Sequence, residues 1–162
     1  HSLNHFAILY RSNAQSRVFE EKFGQEGIPY RVYGGLRFFE RAEIKDVLSY
    51  LRLIANPDDN YAFERSVNTP PRGIGKVTID KIRLYSQEHN LSLYQASKHV
   101  NTSGKAKESL ARYQQLIDDA KATTESLSQL VKHIVDQTQI IDYLKAQKAP
   151  QTESKIETLK SY

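Results

Sequence analysis

The 162-residue sequence predicts a mainly α-helical protein that opens with a small β-α-β piece. Two short runs typical of strands flank one helical segment within the first 33 residues, which favours a β-α-β unit. Beyond residue 35, apolar residues recur at three- and four-residue spacings, which favours helices almost throughout. Because two strands cannot bury both faces alone, the rest of a larger parallel sheet is expected outside this chain.

The β-α-β unit is predicted from three consecutive segments. Residues 6–10 form a short apolar run of β-prone side chains, as expected for a buried parallel strand. Residues 14–23 have helical spacing and are followed by Gly24 and Gly27, which favour the end of a helix. Residues 28–33 alternate apolar and polar side chains and predict the second strand.

An amphipathic stripe predicts the first helix of the second part, and its members are Ile44, Val47, Leu48, Leu51 and Ile54. Further helices are predicted over residues 60–67, 76–88 and 105–123, with two shorter ones in residues 140–162 separated at Pro150. Two more are expected after Ser92 and Ser126, because each serine is followed three residues later by a glutamine, as in a capping box.

The strongest functional signal is the turn Thr69-Pro70-Pro71-Arg72-Gly73-Ile74-Gly75 between two predicted helices. Glycines let a phosphate approach the main chain, and the helix beginning near Lys76 adds unpaired amides and the positive end of its dipole. Arg72 and Lys76 are expected to flank the turn with mobile positive charge. This layout fits a hairpin that grips a nucleic-acid backbone without reading sequence; the alternative is an ordinary turn between helices.

A second polar cluster occupies residues 11–17, just after the first predicted strand. Open α/β sheets place ligand sites at the carboxyl ends of their strands. Arg11, Asn13 and Arg17 offer hydrogen-bond donors for phosphates and exposed bases. The alternative is that Asn13 caps the next helix while the arginines are solvated.

The sequence offers little support for catalysis or metal binding. Its five histidines lack metal-ligand spacing, and the pairs Asp58-Asp59 and Asp118-Asp119 are better explained as solvated charge. Glu40, Glu43 and Asp46 fall at the start of a predicted helix, where they offset its dipole. Phosphate-binding loops of the Gly-x-x-x-x-Gly-Lys type do not occur, so neither catalysis nor ATP binding in the usual way is expected from this chain.

Composition points to a basic protein that is not embedded in a membrane. The net charge of +4 and a pI near 9.2 favour polyanionic partners. There are no cysteines, which excludes disulfides and fits a cytoplasmic protein, and neither a membrane-spanning run nor a signal-peptide pattern is apparent. The lack of methionine and the early strand-like run predict a piece of a larger protein.

Three segments, residues 7–17, 29–46 and 68–75, resemble bacterial superfamily 1 DNA helicases of the UvrD/PcrA/Rep group, and most closely the UvrD type. The likeness is near-continuous to about residue 100 and looser beyond it, with residues 151–159 as a recognisable late segment. This resemblance implies that residues 1–35 belong to the RecA-like motor domain 2A. Residues 36–162 would then be the helical accessory domain 2B, truncated at its C-terminal end.

The resemblance also implies roles for individual residues. Arg11 and Asn13, with Arg17 beside them, would contact single-stranded DNA, and the region containing Arg37, Arg41 and Lys45 would lie near the domain junction with possible DNA contacts. The helix-hairpin-helix-like turn would hold the duplex backbone through the following residues: Thr69, Arg72, Gly73, Ile74, Gly75 and Lys76.

For the whole protein, the resemblance implies an ATP-dependent 3′-to-5′ helicase that uses ATP and Mg²⁺ on duplex DNA with a 3′ single-stranded tail. DNA repair proteins are possible partners, and a cytoplasmic, nucleoid-associated location is expected. The ATP-site motifs are not in this chain, so it should neither hydrolyse ATP nor unwind DNA. Two alternatives stay open: a regulatory or protein-interaction module with little DNA binding, and, least supported, a stand-alone nuclease that the hairpin serves.

Overall fold

The computed structural model describes residues 3–32, 40–123, 126–147, 155–156 and 159–160. The α-helices with defined bounds in this part are α1 (Ser16–Gln25), α2 (Ala42–Ala55), α3 (Asn60–Ser66), α4 (Lys76–His89), α5 (Leu93–Ser97), α6 (Gly104–Thr123), α7 (Leu127–Thr138) and α8 (Ile140–Ala146). Single 3-10 turns cover Leu3–His5 and Asn13–Gln15. The prediction of a mainly helical protein is therefore confirmed.

The predicted β-α-β piece is wrong, because neither of its strands forms within the described residues. Residues 6–10 and 28–32 are irregular, while Tyr33 lies outside the described part. Phe6 is 67% exposed and Leu9 is 96% exposed, so this apolar run is not buried. Strand propensity specifies a strand only where another strand supplies hydrogen bonds, and none of the described segments does so. Only the intervening helix, α1, is present, and it continues past Gly24 to Gln25.

The helix boundaries follow local capping chemistry. The hydroxyl oxygens of Ser92 and Ser126 accept hydrogen bonds from the amides of Gln95 and Gln129, each at 3.3 Å, as predicted from the sequence. Asp59 caps α3 in the same way, since its carboxylate accepts from the amide of Ala62 at 2.9 Å. These bonds satisfy amides that the first turn of a helix leaves without partners.

The chain divides into two compact units, one comprising His1–Ile44 with Leu144–Tyr162 and the other Lys45–Tyr143. The second unit has its own core, in which the rings of Tyr50, Phe63 and Tyr113 are fully buried. Phe63 and Tyr113 meet edge to face with centroids 6.0 Å apart, and Tyr50 and Tyr113 do so at 6.1 Å. Within the part of the chain that the structure describes, no helix combines the length and the apolar composition that a membrane span needs.

Candidate nucleic-acid interface

The side chain of Ile74 helps to fix the turn between α3 and α4 to the core of the second unit. Ile74 is only 2% exposed and belongs to the same cluster of buried side chains as Phe63 and Tyr113. At the start of the turn, the side-chain oxygen of Asn68 accepts from the amide of Arg72 at 2.7 Å. The residues on either side of Ile74 are exposed, so the turn holds a short stretch of backbone at the surface.

The two glycines that flank Ile74 have different conformations. Gly73 has a φ of +77°, a region that strongly favours glycine. Gly75 has φ −80° and ψ 176°, which any residue adopts, and a Cβ built there would have no atom within 4 Å. The fold therefore favours glycine at position 73, whereas at position 75 it leaves open space beside the backbone.

Unpaired amides lie at this surface. The carbonyl oxygen of Gly75 accepts from the amides of Thr78 at 3.1 Å and Ile79 at 3.2 Å, which begins α4. The amides of four exposed residues, Gly73, Gly75, Lys76 and Val77, have no hydrogen-bond partner among the described residues, and no side chain caps the helix. An exposed helix start with free amides is a site where an anion is stabilised by both hydrogen bonds and the helix dipole.

The side chain of Arg72 points into the fold. Its Nη1 donates to the carbonyl oxygens of Ser66 at 2.9 Å and Val67 at 3.0 Å, and its Nη2 donates to the hydroxyl of Tyr50. The prediction that Arg72 supplies mobile charge is therefore wrong, because the guanidinium satisfies the C-terminal carbonyls of α3 instead. Lys76 is exposed and forms no ion pair with a described residue, and its role beside the turn stays a prediction.

Two buried tyrosines complete the support beneath the turn. The hydroxyl of Tyr50 lies 3.0 Å from the carbonyl oxygen of Ser66 and 2.5 Å from that of Thr69. The hydroxyl of Tyr113 is 2.6 Å from the Ser66 hydroxyl. Burial raises the pKa of Tyr50 to about 12, against the opposing effect of Arg72, and burial also raises the pKa of Tyr113. Both side chains therefore stay neutral in the folded protein at ordinary pH.

One basic residue beside the turn was not anticipated from the sequence. A Cβ on Gly73 would lie 3.9 Å from both Cδ and Cε of Lys105, so this lysine of α6 runs alongside the turn. Lys105 is exposed and makes no ion pair with a described residue. No local pattern could have identified it, because its position depends on how α6 packs against the turn.

The second predicted cluster, residues 11–17, forms the entry to α1. The amides of Arg11 and Ser12 donate to the side-chain oxygen of Gln15 at 3.0 and 3.2 Å. Gln15 rather than Asn13 occupies the N-cap position of α1, and the side chain of Asn13 lies outside the described part of the structure. Arg11 is exposed, whereas Arg17 pairs with Glu21 at 2.7 Å.

The three basic residues predicted near the domain junction have different surroundings. Arg41 is only 7% exposed, and its Nη2 donates to the buried hydroxyl of Ser16 at 2.7 Å. Lys45 is exposed on α2. Arg37 lies outside the described residues. Arg41 therefore has a structural role at the start of α1, and Lys45 remains accessible to a ligand.

Comparison with known proteins adds a family assignment. The family model for the UvrD-like helicase C-terminal domain matches residues 1–162. The ATP-dependent DNA helicase PcrA of Bacillus subtilis is 40% identical over 165 residues, covering 99% of this chain and 22% of that protein. DNA helicase II of Escherichia coli is 58% identical over 116 residues, covering 69% of this chain and 16% of that protein.

DNA helicase II of Haemophilus influenzae is 42% identical over 163 residues, which is 97% of this chain and 22% of that protein. The chain thus spans less than a quarter of the length of these relatives. The family match extends over every residue of the sequence, including the turn at Gly73 to Gly75 and the cluster at residues 11–17. This chain belongs to the UvrD-like helicase C-terminal domain family.

Proposed function

We propose that this chain is the DNA-binding part of a DNA helicase and that its turn at residues 69–76 holds the phosphate backbone of duplex DNA. The observation that carries the proposal is the set of unpaired amides on the exposed residues Gly73, Gly75, Lys76 and Val77 at the start of α4. The open space at Gly75 lets a phosphate reach those amides, and Lys76 adds a positive charge. Binding through phosphates alone would be independent of base sequence.

We further propose that residues 1–35 belong to the motor domain 2A and residues 36–162 to the accessory domain 2B. In this assignment Arg11, Asn13 and Arg17 contact single-stranded DNA. Lys45 is a candidate for a further contact near the domain junction, as is Arg37, while Arg41 acts there by holding Ser16. Exposed Arg11 offers a guanidinium to a phosphate or a base edge without having to break an ion pair with a described residue.

The whole protein is proposed to be an ATP-dependent helicase that moves 3′ to 5′, uses ATP and Mg²⁺, and acts on duplex DNA with a 3′ single-stranded tail. Its partners would include DNA repair proteins. The relatives named above carry the names ATP-dependent DNA helicase and DNA helicase II, which supports this activity for the whole protein. The 162-residue chain by itself is expected neither to hydrolyse ATP nor to unwind DNA, and both are measurable with the purified chain.

The duplex proposal is tested by fluorescence anisotropy with a labelled hairpin duplex bearing a 3′ tail. Gly75→Leu should weaken duplex binding at least about tenfold, because the side chain fills the space that the phosphate needs. Gly24→Leu is the matched control, since Gly24 also has open space around it but lies on α1. Circular dichroism checks that both variants are folded.

Salt dependence gives the second arm of this test. Phosphate contacts release counterions, so the affinity of the unaltered chain should fall steeply between about 50 and 200 mM salt. An affinity that stays constant over this range, or equal binding by the Gly75→Leu and Gly24→Leu variants, would contradict the proposal. Arg11→Gln should weaken binding to a single-stranded oligonucleotide and leave binding to a blunt duplex unchanged.

A further inference from the structure

A cleft of about 370 Å³ opens beside the turn, between the turn, α6 and the C-terminal end of α7. We call it the α6 cleft. The residues lining it that matter here are Gly73, Lys105, Ser109, Arg112, Gln137 and Thr138. Lys105, Ser109 and Arg112 are spaced by four and three residues, so they lie along one face of α6. The cleft is therefore bounded by the turn on one side and by a basic helix face on another.

The charge of the α6 cleft is entirely positive. Neither aspartate nor glutamate is among its described lining residues. Lys105 forms no ion pair with a described residue, and Arg112 approaches Glu108 only to 3.9 Å, with side chains 72% and 76% exposed. Such an exposed pair contributes little and is readily exchanged for another anion. Arg72 also lines the cleft, but its guanidinium is occupied by the carbonyls of Ser66 and Val67.

We propose that the α6 cleft binds a second backbone phosphate of the duplex that the turn holds. Lys105 and Arg112 contact this phosphate, and Ser109, Gln137 and Thr138 are polar residues within the same cleft. The inference rests on the proposed duplex binding and extends it to a helix separated in sequence from the glycine turn. Two contacts, one at the turn and one on α6, fix the direction of the DNA, whereas a single phosphate contact leaves it free to pivot.

The test compares two double variants of the whole chain that change net charge equally. Lys105→Gln with Arg112→Gln removes both cations of the cleft, and Lys107→Gln with Lys121→Gln removes two exposed lysines of α6 that do not line it. The cleft variant should bind the duplex about tenfold more weakly at low salt. Its plot of log affinity against log salt should be shallower by about 0.9, the slope that one lost phosphate contact removes. The control variant should change affinity by less than about threefold.

The outcomes separate this inference from the proposed function. If the unaltered chain binds no duplex, the proposed function fails. If Gly75→Leu abolishes binding while the two double variants bind equally, the inference fails and the function of the turn stands. NMR titration distinguishes the source of the phosphate: saturation of the cleft by inorganic phosphate, with no change at Lys105 on adding duplex, would overturn the inference.

Discussion

Arg72 and Tyr50 are joined twice: Nη2 of the arginine donates to the tyrosine hydroxyl, and its Cζ lies 5.6 Å from the centre of the same ring. The same guanidinium lies 5.3 Å from the ring centre of Tyr113. The guanidinium therefore interacts with two aromatic rings and donates hydrogen bonds to the carbonyl oxygens at the end of α3. This arrangement supports the turn from below and leaves Gly73 and Gly75 exposed.

Arg72→Lys should destabilise the chain by about 2 kcal/mol. The ammonium group of lysine cannot reproduce the hydrogen bonds that the forked guanidinium donates to two carbonyl oxygens and a hydroxyl. Urea denaturation followed by circular dichroism measures the change in the free energy of unfolding. Arg112→Lys is the control, because Arg112 is 72% exposed, and it should stay within about 0.5 kcal/mol of the unaltered chain. An equal decrease in the free energy of unfolding in the two variants would show that the Arg72 guanidinium does not stabilise the fold.

Gly73→Ala should cost about 1–2 kcal/mol, because an alanine at a φ of +77° brings its Cβ too close to its own backbone. The nearest other atoms lie at 3.9 Å, so the cost comes from the backbone conformation and not from crowding. Gly24→Ala provides the comparison: it lies within α1, where alanine is favoured over glycine, and should not lower stability. A thermal melt of both variants decides whether the loss is confined to position 73.

The cap that Asp59 provides at the start of α3 should make the stability of the chain sensitive to acid. The backbone amide of Ala62 holds the pKa of Asp59 below its usual value of 3.8, with a further contribution from Arg52. Because the folded pKa is lowered, the stabilisation is present above pH 3.8 and is lost as the pH falls through the folded value. Asp59→Asn, which keeps an oxygen to cap α3, should lose less stability on acidification than the unaltered chain. Urea denaturation as a function of pH compares the variant with the unaltered chain.

The buried hydroxyl of Tyr50 should make the chain lose stability at alkaline pH. Burial raises its pKa to about 12 from the usual 10.0, so the folded state keeps a proton that the unfolded state releases. The stabilisation is complete below pH 10 and decreases as the pH rises towards 12, by about 1.4 kcal/mol per pH unit for one such group. Tyr50→Phe should make this decrease less steep. Ultraviolet absorbance of tyrosinate gives an independent check, since some of the ten tyrosines should ionise only on unfolding.

Local chemistry predicted most of the helical structure. The stripe from Ile44 to Ile54 lies on α2, and the serines at 92 and 126 cap α5 and α7 as expected, because these features depend on residues three or four positions apart. The predicted strands failed because a strand is specified by a partner strand as much as by its own sequence. Residues 6–10 have the composition of a strand, but none of the described segments pairs with them.

The candidate site was also predicted only in part, because some of its features are local in sequence and others depend on tertiary packing. The glycines of the turn were identified from sequence because their conformational freedom is a local property. The inward orientation of Arg72 was not, since it depends on Tyr50 from α2 and Tyr113 from α6. The place of Lys105 beside Gly73 is also a product of tertiary packing.

The difference between Gly73 and Gly75 has an evolutionary consequence. Random substitutions screened only for abundance in the cell should be depleted at Gly73, where the backbone favours glycine, and accepted at Gly75, where it does not. If Gly75 serves the proposed DNA contact, a lineage that stopped binding DNA would lose the second glycine by drift while it retained the first. Retention of Gly73 would then indicate that the protein still folds, and retention of Gly75 would indicate that it still binds DNA.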